Sequence, residues 1–165
     1  MTSPPQTPSR PTIRDFIAAD APAIAQLYFE SARRLGARHY SAAQVAAWAP
    51  APVDPAAVLA RADDGRHTLV AICDGAVAGY VDLEADGHID HLYVHPDAAG
   101  RGVGASLIEA VVARARAAGI GRLHVEASET ARPLFERLGF AILHRRDFEV
   151  RGVAIHNYAM AREAL

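Results

Sequence analysis

Short apolar-rich runs at Leu69–Cys73, Val77–Glu84 and His88–Val94 are separated by the dipeptides Asp74-Gly75 and Asp86-Gly87. Asp-Gly supplies the positive φ angles of tight hairpin turns, so this stretch predicts a three-stranded antiparallel meander. On either side the apolar period becomes helical. Asp20 and Pro22 stand as cap and first turn ahead of Ile24, Leu27, Tyr28 and Leu35. Ser41 opens a second short helix that reaches Trp48 and is stopped by Pro50 and Pro52, and Asp54-Pro55 starts another turn or two of helix. Downstream, Val103, Leu107, Val111 and Val112 form one face of a helix ending near Gly119. Thr12–Phe16 and Leu123–Ala127 read as strands, Ala131–Leu138 as a helix stopped by Gly139, and Phe140–Val150 and Val153–Met160 as strands about Arg151-Gly152. The predicted order is β-α-α-β-β-β-α-β-α-β-β.

A length of 165 residues fits one domain with a substantial core, expected over residues 12–165. Met1–Pro11 holds four prolines among Ser, Thr and Gln and reads as a flexible tail. The net charge of −2 argues against general nucleic-acid binding, which needs a large positive surface. No apolar run is long enough to span a bilayer and no apolar signal core opens the chain, so no membrane partner is expected. With a single cysteine, the chain fits a reducing cytoplasm. Cys73 sits in an apolar run, where a small buried hydrophobe is the favoured reading over a nucleophile.

One junction changes the picture from fold to chemistry. The strand ending at Val94 passes through His95-Pro96-Asp97-Ala98-Ala99-Gly100-Arg101-Gly102-Val103-Gly104-Ala105 into the amphipathic helix. The first N–H groups of a helix lack internal acceptors and carry the positive end of the dipole, so they suit a phosphate. Gly100, Gly102 and Gly104 let the backbone approach such a ligand, and Arg101 adds charge at the mouth. A nucleoside-triphosphate loop would need Lys after its last glycine, where Ala105 stands. The dinucleotide fingerprint is formally met by Gly100, Gly102 and Ala105, with Glu126 about twenty residues on as the ribose acid. That reading requires a doubly wound parallel sheet, for which only about sixty residues follow Gly104.

Val94-x-Pro96-Asp97 followed by Gly100-Arg-Gly102-Val-Gly104 and a helix resembles motif A of the GNAT superfamily of N-acetyltransferases, with Gly102 and Gly104 at its two glycine positions. Ala99 stands where the family usually carries Gln or Arg, which removes one side-chain contact to a pyrophosphate but leaves the main-chain donors. The predicted element order agrees, and the resemblance covers about residues 12–162. It implies a single-domain α/β fold whose mixed, mostly antiparallel sheet is splayed after the fourth strand. It also implies acetyl transfer from acetyl-CoA to a primary amine, on a small molecule or a peptide N-terminus, by direct attack in a ternary complex. Segments 38–50 and 127–133, with Arg151-Gly152-Val153 and Asn157, resemble the bacterial YafP-like branch.

The resemblance also implies roles for individual residues. His88 and Asp90 fall on the strand where several members carry a base, while His88 is equally readable as the residue closing the Asp86-Gly87 turn. Strand alternation puts His88, Asp90 and Leu92 on one face and His91, Tyr93 and His95 on the other. A main-chain N–H near Tyr93 or Val94 polarises the acetyl carbonyl. Ser128-x-x-Ala131-x-x-Leu134-Phe135 resembles the family's Asn-x-x-Ala-x-x-Leu-Tyr segment, with Ser for Asn and Phe for Tyr. Phe135 has no proton to give to the departing thiolate, so Ser128, Tyr158 or solvent must supply it; otherwise the protein is a CoA-binding sensor without turnover. Leu92, Tyr93, Val94, Ala99–Ala105, Ser128, Ala131 and Phe135 are the expected acetyl-CoA contacts. Tyr28, Phe29, Tyr40 and Trp48 read either as core or as acceptor pocket. His88, His91 and His95 lack metal-ligand spacing on a strand, so no metal is expected. The C-terminal hairpin leaves room for a homodimer.

Overall fold

The computed structural model describes residues 10–163. Most of the tail expected at 1–11 therefore lies outside the described residues; of its last two, Arg10 pairs with Glu109 at 3.0 Å and Pro11 is buried. Seven strands form one sheet in the order β1-β2-β3-β4-β5-β7-β6. They are β1 (Thr12–Asp15), β2 (His67–Cys73), β3 (Ala76–Leu83), β4 (His88–Val94), β5 (Arg122–Ala127), β6 (Ala141–Val150) and β7 (Val153–Glu163). The helices are α1 (Ala21–Arg34), α2 (Ala42–Trp48), α3 (Pro55–Ala62), α4 (Val103–Ala117) and α5 (Arg132–Arg137). Among the described residues no helix is long and apolar enough to cross a membrane.

The meander forms as its turns dictate, with Asp74 at φ 52° and Gly75 at φ 78°. Arg151 at φ 48° and Gly152 at φ 76° turn the last hairpin in the same way. Two expectations about helices need correction. Asp54 accepts from the Ala56 N–H and starts α3, about the turn or two expected there, so three helices stand between β1 and β2 where the predicted order gave two. Asp20 occupies the cap position of α1 but does not cap it. Its carboxylate is taken instead by the Arg14 guanidinium at 2.7 and 2.8 Å and by the Ile17 N–H at 2.9 Å, so a 3-10 turn runs directly into the helix.

Both sheet faces are covered. On one, Leu107, Ile108, Val111 and Ala115 of α4 bury against Leu69, Val81, Ile89 and Leu123, with Phe135 of α5 completing the core. On the other, Ile24 and Leu27 of α1 pack on Val70 and Tyr80. Cys73 lies buried in the first of these cores.

The sheet is antiparallel except where β4 meets β5. These two are parallel and pair only through His88 with His124 and Ile89 with Val125. Beyond Ile89 they diverge, leaving one side of Asp90–Val94 without a neighbouring strand. The formal dinucleotide fingerprint is thereby overturned: a doubly wound sheet needs successive parallel strands, and here one short parallel contact sits among antiparallel pairs.

Candidate active site

β4 does not keep its alternation. Val81 pairs with Leu92 while Leu83 pairs with Ile89, so three residue steps on β4 answer two on β3. This bulge at Asp90–His91 re-aims the strand. Ile89, Leu92 and Val94 all turn to the α4 core, and His88, His91 and Tyr93 turn to the other side. The expected grouping of His88 with Leu92 is therefore wrong, and so is the separation of His88 from His91.

A cleft of about 620 Å³ runs through the gap between the diverging ends of β4 and β5, so that residues of both faces line it, and is bounded by α1, α2 and the β6–β7 hairpin. His88, Asp90, Leu92, Tyr93, Val94, Ser128 and Phe135 line it, as do Tyr40 and Trp48. Tyr158 and Ala131 do not; both pack against the α4 core. Phe29 also lies outside the lining, its ring carrying Arg33 at 5.3 Å. The three histidines, His88 and His91 on β4 and His95 just beyond it, go to separate partners. His91 Nδ1 lies 2.9 Å from the Tyr80 hydroxyl, and burial together with the nearby Arg61 charge lowers the ring to about 4, so it stays neutral. His95 accepts from the Asp97 N–H and faces Glu30 at 3.2 Å.

His88 has both ring nitrogens engaged. Nδ1 lies 2.8 Å from Glu84 Oε2 and Nε2 lies 2.6 Å from Glu126 Oε2, and its ring stacks on His124. Burial pushes the imidazole pKa down, but Glu126 and Glu84 outweigh it and the net shift is upward. Two acceptor-only carboxylates on one ring favour the imidazolium, which can donate to both. Asp90 is committed elsewhere. It receives Arg66 at 2.9 Å and a close contact from Arg61. Burial raises its carboxyl, yet Arg66 and Arg61 hold it below the ordinary value. Asp90 therefore belongs to the ion network that also satisfies buried Asp82, whose oxygens take Thr68 at 2.8 Å and Arg61 at 2.9 Å.

At the other end of the gap the loop has the expected form. Gly102 is the cap residue of α4 at φ 78°, a left-handed conformation, and a Cβ built there or on Gly100 meets open space. Among the described residues the N–H groups of Val103, Gly104 and Ala105 find no acceptor. Gly104 serves packing instead: a Cβ there would lie 2.7 Å from Leu134 Cδ2, so it lets α5 close on α4. Arg101 at the mouth is held by Asp74 at 3.1 Å. On β4, the His95 N–H donates to Ala78 O on β3, so alternation turns the Val94 N–H, rather than that of Tyr93, toward the gap.

The hydroxyls divide similarly. Ser128 Oγ accepts from the Ala131 N–H at 3.1 Å, which leaves its own proton to give. Tyr158 lies under the Arg132 guanidinium, and Glu129 and burial raise its phenol. Thr130 Oγ1 is buried on the cleft wall with no partner among the described residues. Open loop N–H donors, an orphan hydroxyl and a strand edge with no neighbour suit a ligand with a phosphate end and an amide-bearing arm.

The sequence model of the acetyltransferase (GNAT) domain family matches residues 36–162. This chain belongs to the GNAT acetyltransferase family. Among GNAT proteins it is 28% identical over 156 residues to the uncharacterized N-acetyltransferase YafP of Escherichia coli K12, covering 90% of this chain and 93% of that one. A crystal structure of a GCN5-related N-acetyltransferase from Rhodopseudomonas palustris superposes with a TM-score of 0.86 at 36% identity, over 96% of this chain and 98% of that one. A phosphinothricin acetyltransferase of the GNAT superfamily from Sinorhizobium meliloti, solved with AcCoA, gives a TM-score of 0.75 at 25% identity, over 93% and 88%. Fold and family thus agree with the motif-A reading of the glycine loop. Glu84 and Thr130 carried no signal in the sequence, and Glu126 stood there only as a ribose acid. Glu126 lies 38 residues from His88 along the chain and meets it only across the strand junction.

Proposed function

We propose that the protein transfers the acetyl group of acetyl-CoA to a primary amine, on a small molecule or a peptide N-terminus, by direct attack in a ternary complex. The observation that carries this reading is the gap between β4 and β5, with open main-chain donors at one end and the His88–Glu126 pair on its wall. Val103, Gly104 and Ala105 would hold the pyrophosphate through their N–H groups. The AcCoA complex of the Sinorhizobium relative supports the choice of donor.

The amine arrives protonated and must lose a proton before it can attack. The Glu126–His88–Glu84 unit takes that proton, directly or through water. The nitrogen then bonds to the acetyl carbon while the Val94 N–H steadies the developing oxyanion. The C–S bond breaks as the nitrogen sheds its remaining extra proton, and the thiolate takes one in exchange, from solvent or by relay through Ser128 or Thr130, whose hydroxyl is reprotonated by water. No covalent acyl-enzyme is required, because Cys73 is buried in the core.

Phe135 is 1% exposed and offers no proton, an observation that favours binding of CoA without turnover as the second reading. Release of CoA from acetyl-CoA across an amine panel separates the two: turnover with any amine supports transfer, and binding without turnover supports the sensor. His88→Ala is expected to lower turnover much more than acetyl-CoA affinity, and equal turnover would remove His88 from the mechanism.

Two further outcomes follow from the geometry. Gly102→Val forces a β-branched side chain into a left-handed conformation and should weaken acetyl-CoA binding about tenfold or more by calorimetry; retained affinity would sink the loop assignment. Because the pKa of His88 is raised, activity should climb with pH through an apparent value above histidine's ordinary 6.5. Glu84→Gln removes one carboxylate that favours the imidazolium, so this limb should move to lower pH. A limb that stays in place would detach His88 from the base.

A further inference from the structure

We infer that the acceptor amine carries a carboxylate, and that Arg146 of β6 receives it at the end of the cleft away from Glu126. This rests on the acetyl-transfer reading and adds the acceptor's chemical class. The chain has seventeen arginines and no lysine, and Arg146 is the one arginine that lines the cleft. Its guanidinium donates to Asn157 Oδ1 at 3.2 Å and rests on the Phe148 ring at 5.6 Å. Among the described residues it has no carboxylate partner. The neighbouring Arg145, on the opposite face of the strand, is paired with Asp147 at 2.9 Å.

Asn157 is 7% exposed and fixes one edge of the Arg146 guanidinium. The fork has five N–H donors, so an edge remains for a planar anion, the geometry that a carboxylate fits bidentately. The wall around it is apolar, with Trp48, Phe148 and Ile155, which strengthens a charge-assisted bond there.

Register puts Arg146 and Glu126 on one face of the sheet. Arg146 pairs with Asn157, Glu126 pairs with Ala159, and Asn157 and Ala159 are alternate residues of β7. The two lie two strands apart across the ladder and two residues apart along it, about 11–12 Å between Cα atoms. The cleft is therefore acidic at the β4–β5 gap and cationic at β6. An amine that carries a carboxylate aligns with that polarity, its nitrogen toward Glu126, whereas a simple amine gains at one end only.

The test is titration calorimetry of the full chain saturated with CoA, using matched pairs: phenylalanine against phenethylamine, lysine against cadaverine, and 6-aminohexanoate against hexylamine. In at least one pair the carboxylate member should bind about 10- to 100-fold more tightly. Arg146→Gln should bring that ratio close to one, while Arg145→Gln, on the other face, leaves it in place. Arg146→Lys keeps the charge without the fork and should restore part of the preference. Equal binding within every pair, no binding by any compound, or a preference that survives Arg146→Gln would overturn the inference. CoA release measured separately reads the transfer reaction: amines acetylated without carboxylate preference refute the Arg146 assignment alone, and preference without acetylation refutes the transfer reading alone.

Discussion

Glu126→Gln is expected to slow acetyl transfer about 10²- to 10⁴-fold, the usual range for loss of a positioned general base. The amide is nearly isosteric with the carboxylate and its carbonyl oxygen still accepts from His88 Nε2, so the junction keeps its geometry. What disappears is the anionic acceptor on the cleft wall. Acetyl-CoA affinity should stay within about twofold, because the loop donors lie at the other end of the gap. Steady-state turnover beside calorimetric affinity checks both halves of this expectation. Turnover within about tenfold of the parent would move the base elsewhere, since Asp90 is already occupied by Arg61 and Arg66.

The largest expected loss of stability comes from Gly87→Ala. Gly87 closes the β3–β4 turn at φ 93°, and a Cβ there would lie 2.1 Å from Arg122 O. That obstacle is main chain and cannot rotate away. Gly87 O also accepts the His124 N–H at 3.1 Å, so relief of the clash pushes β5 away from the residues that tie it to β4. We expect a cost of roughly 3–5 kcal/mol. For a domain of this size that corresponds to a fall of about 6–20 °C in Tm. Gly65→Ala is the matched control: φ is 97° and nothing stands within 4 Å of the added atom. It should lose only the conformational cost of a left-handed residue, about 1–2 kcal/mol. Equal losses in the two variants would mean that the contact with Arg122 contributes nothing.

The element order was legible because its punctuation is local. Asp74-Gly75, Asp86-Gly87 and Arg151-Gly152 set hairpins by backbone conformation, and Ser41 caps α2 through the Gln44 N–H. The glycine loop was legible for the same reason. The faces of β4 were not, since a one-residue bulge depends on how β3 packs against its neighbour, and strict alternation misassigns every side chain beyond it. Asp90 looked like a candidate base because its partners Arg61 and Arg66 come from α3 and the loop before β2. Glu126 and Glu84 gain their roles only through contact with His88, and the orphan hydroxyl of Thr130 is defined by what fails to surround it. Sequence spacing records none of these long-range proximities.

The short union of β4 with β5 also divides labour within the chain. The glycine loop and the Val94 N–H sit on the β1–β4 side, whereas Arg146, Phe148 and Asn157 sit on the β5–β7 side. Two residue pairs join these halves in the sheet, so side chains on the hairpin can be exchanged with little strain passed to the loop. Such a layout lets acceptor preference drift over evolutionary time while the apparatus for the acyl donor stays fixed. Libraries aimed at new amines therefore belong on β6 and β7, with β4 and the start of α4 left untouched.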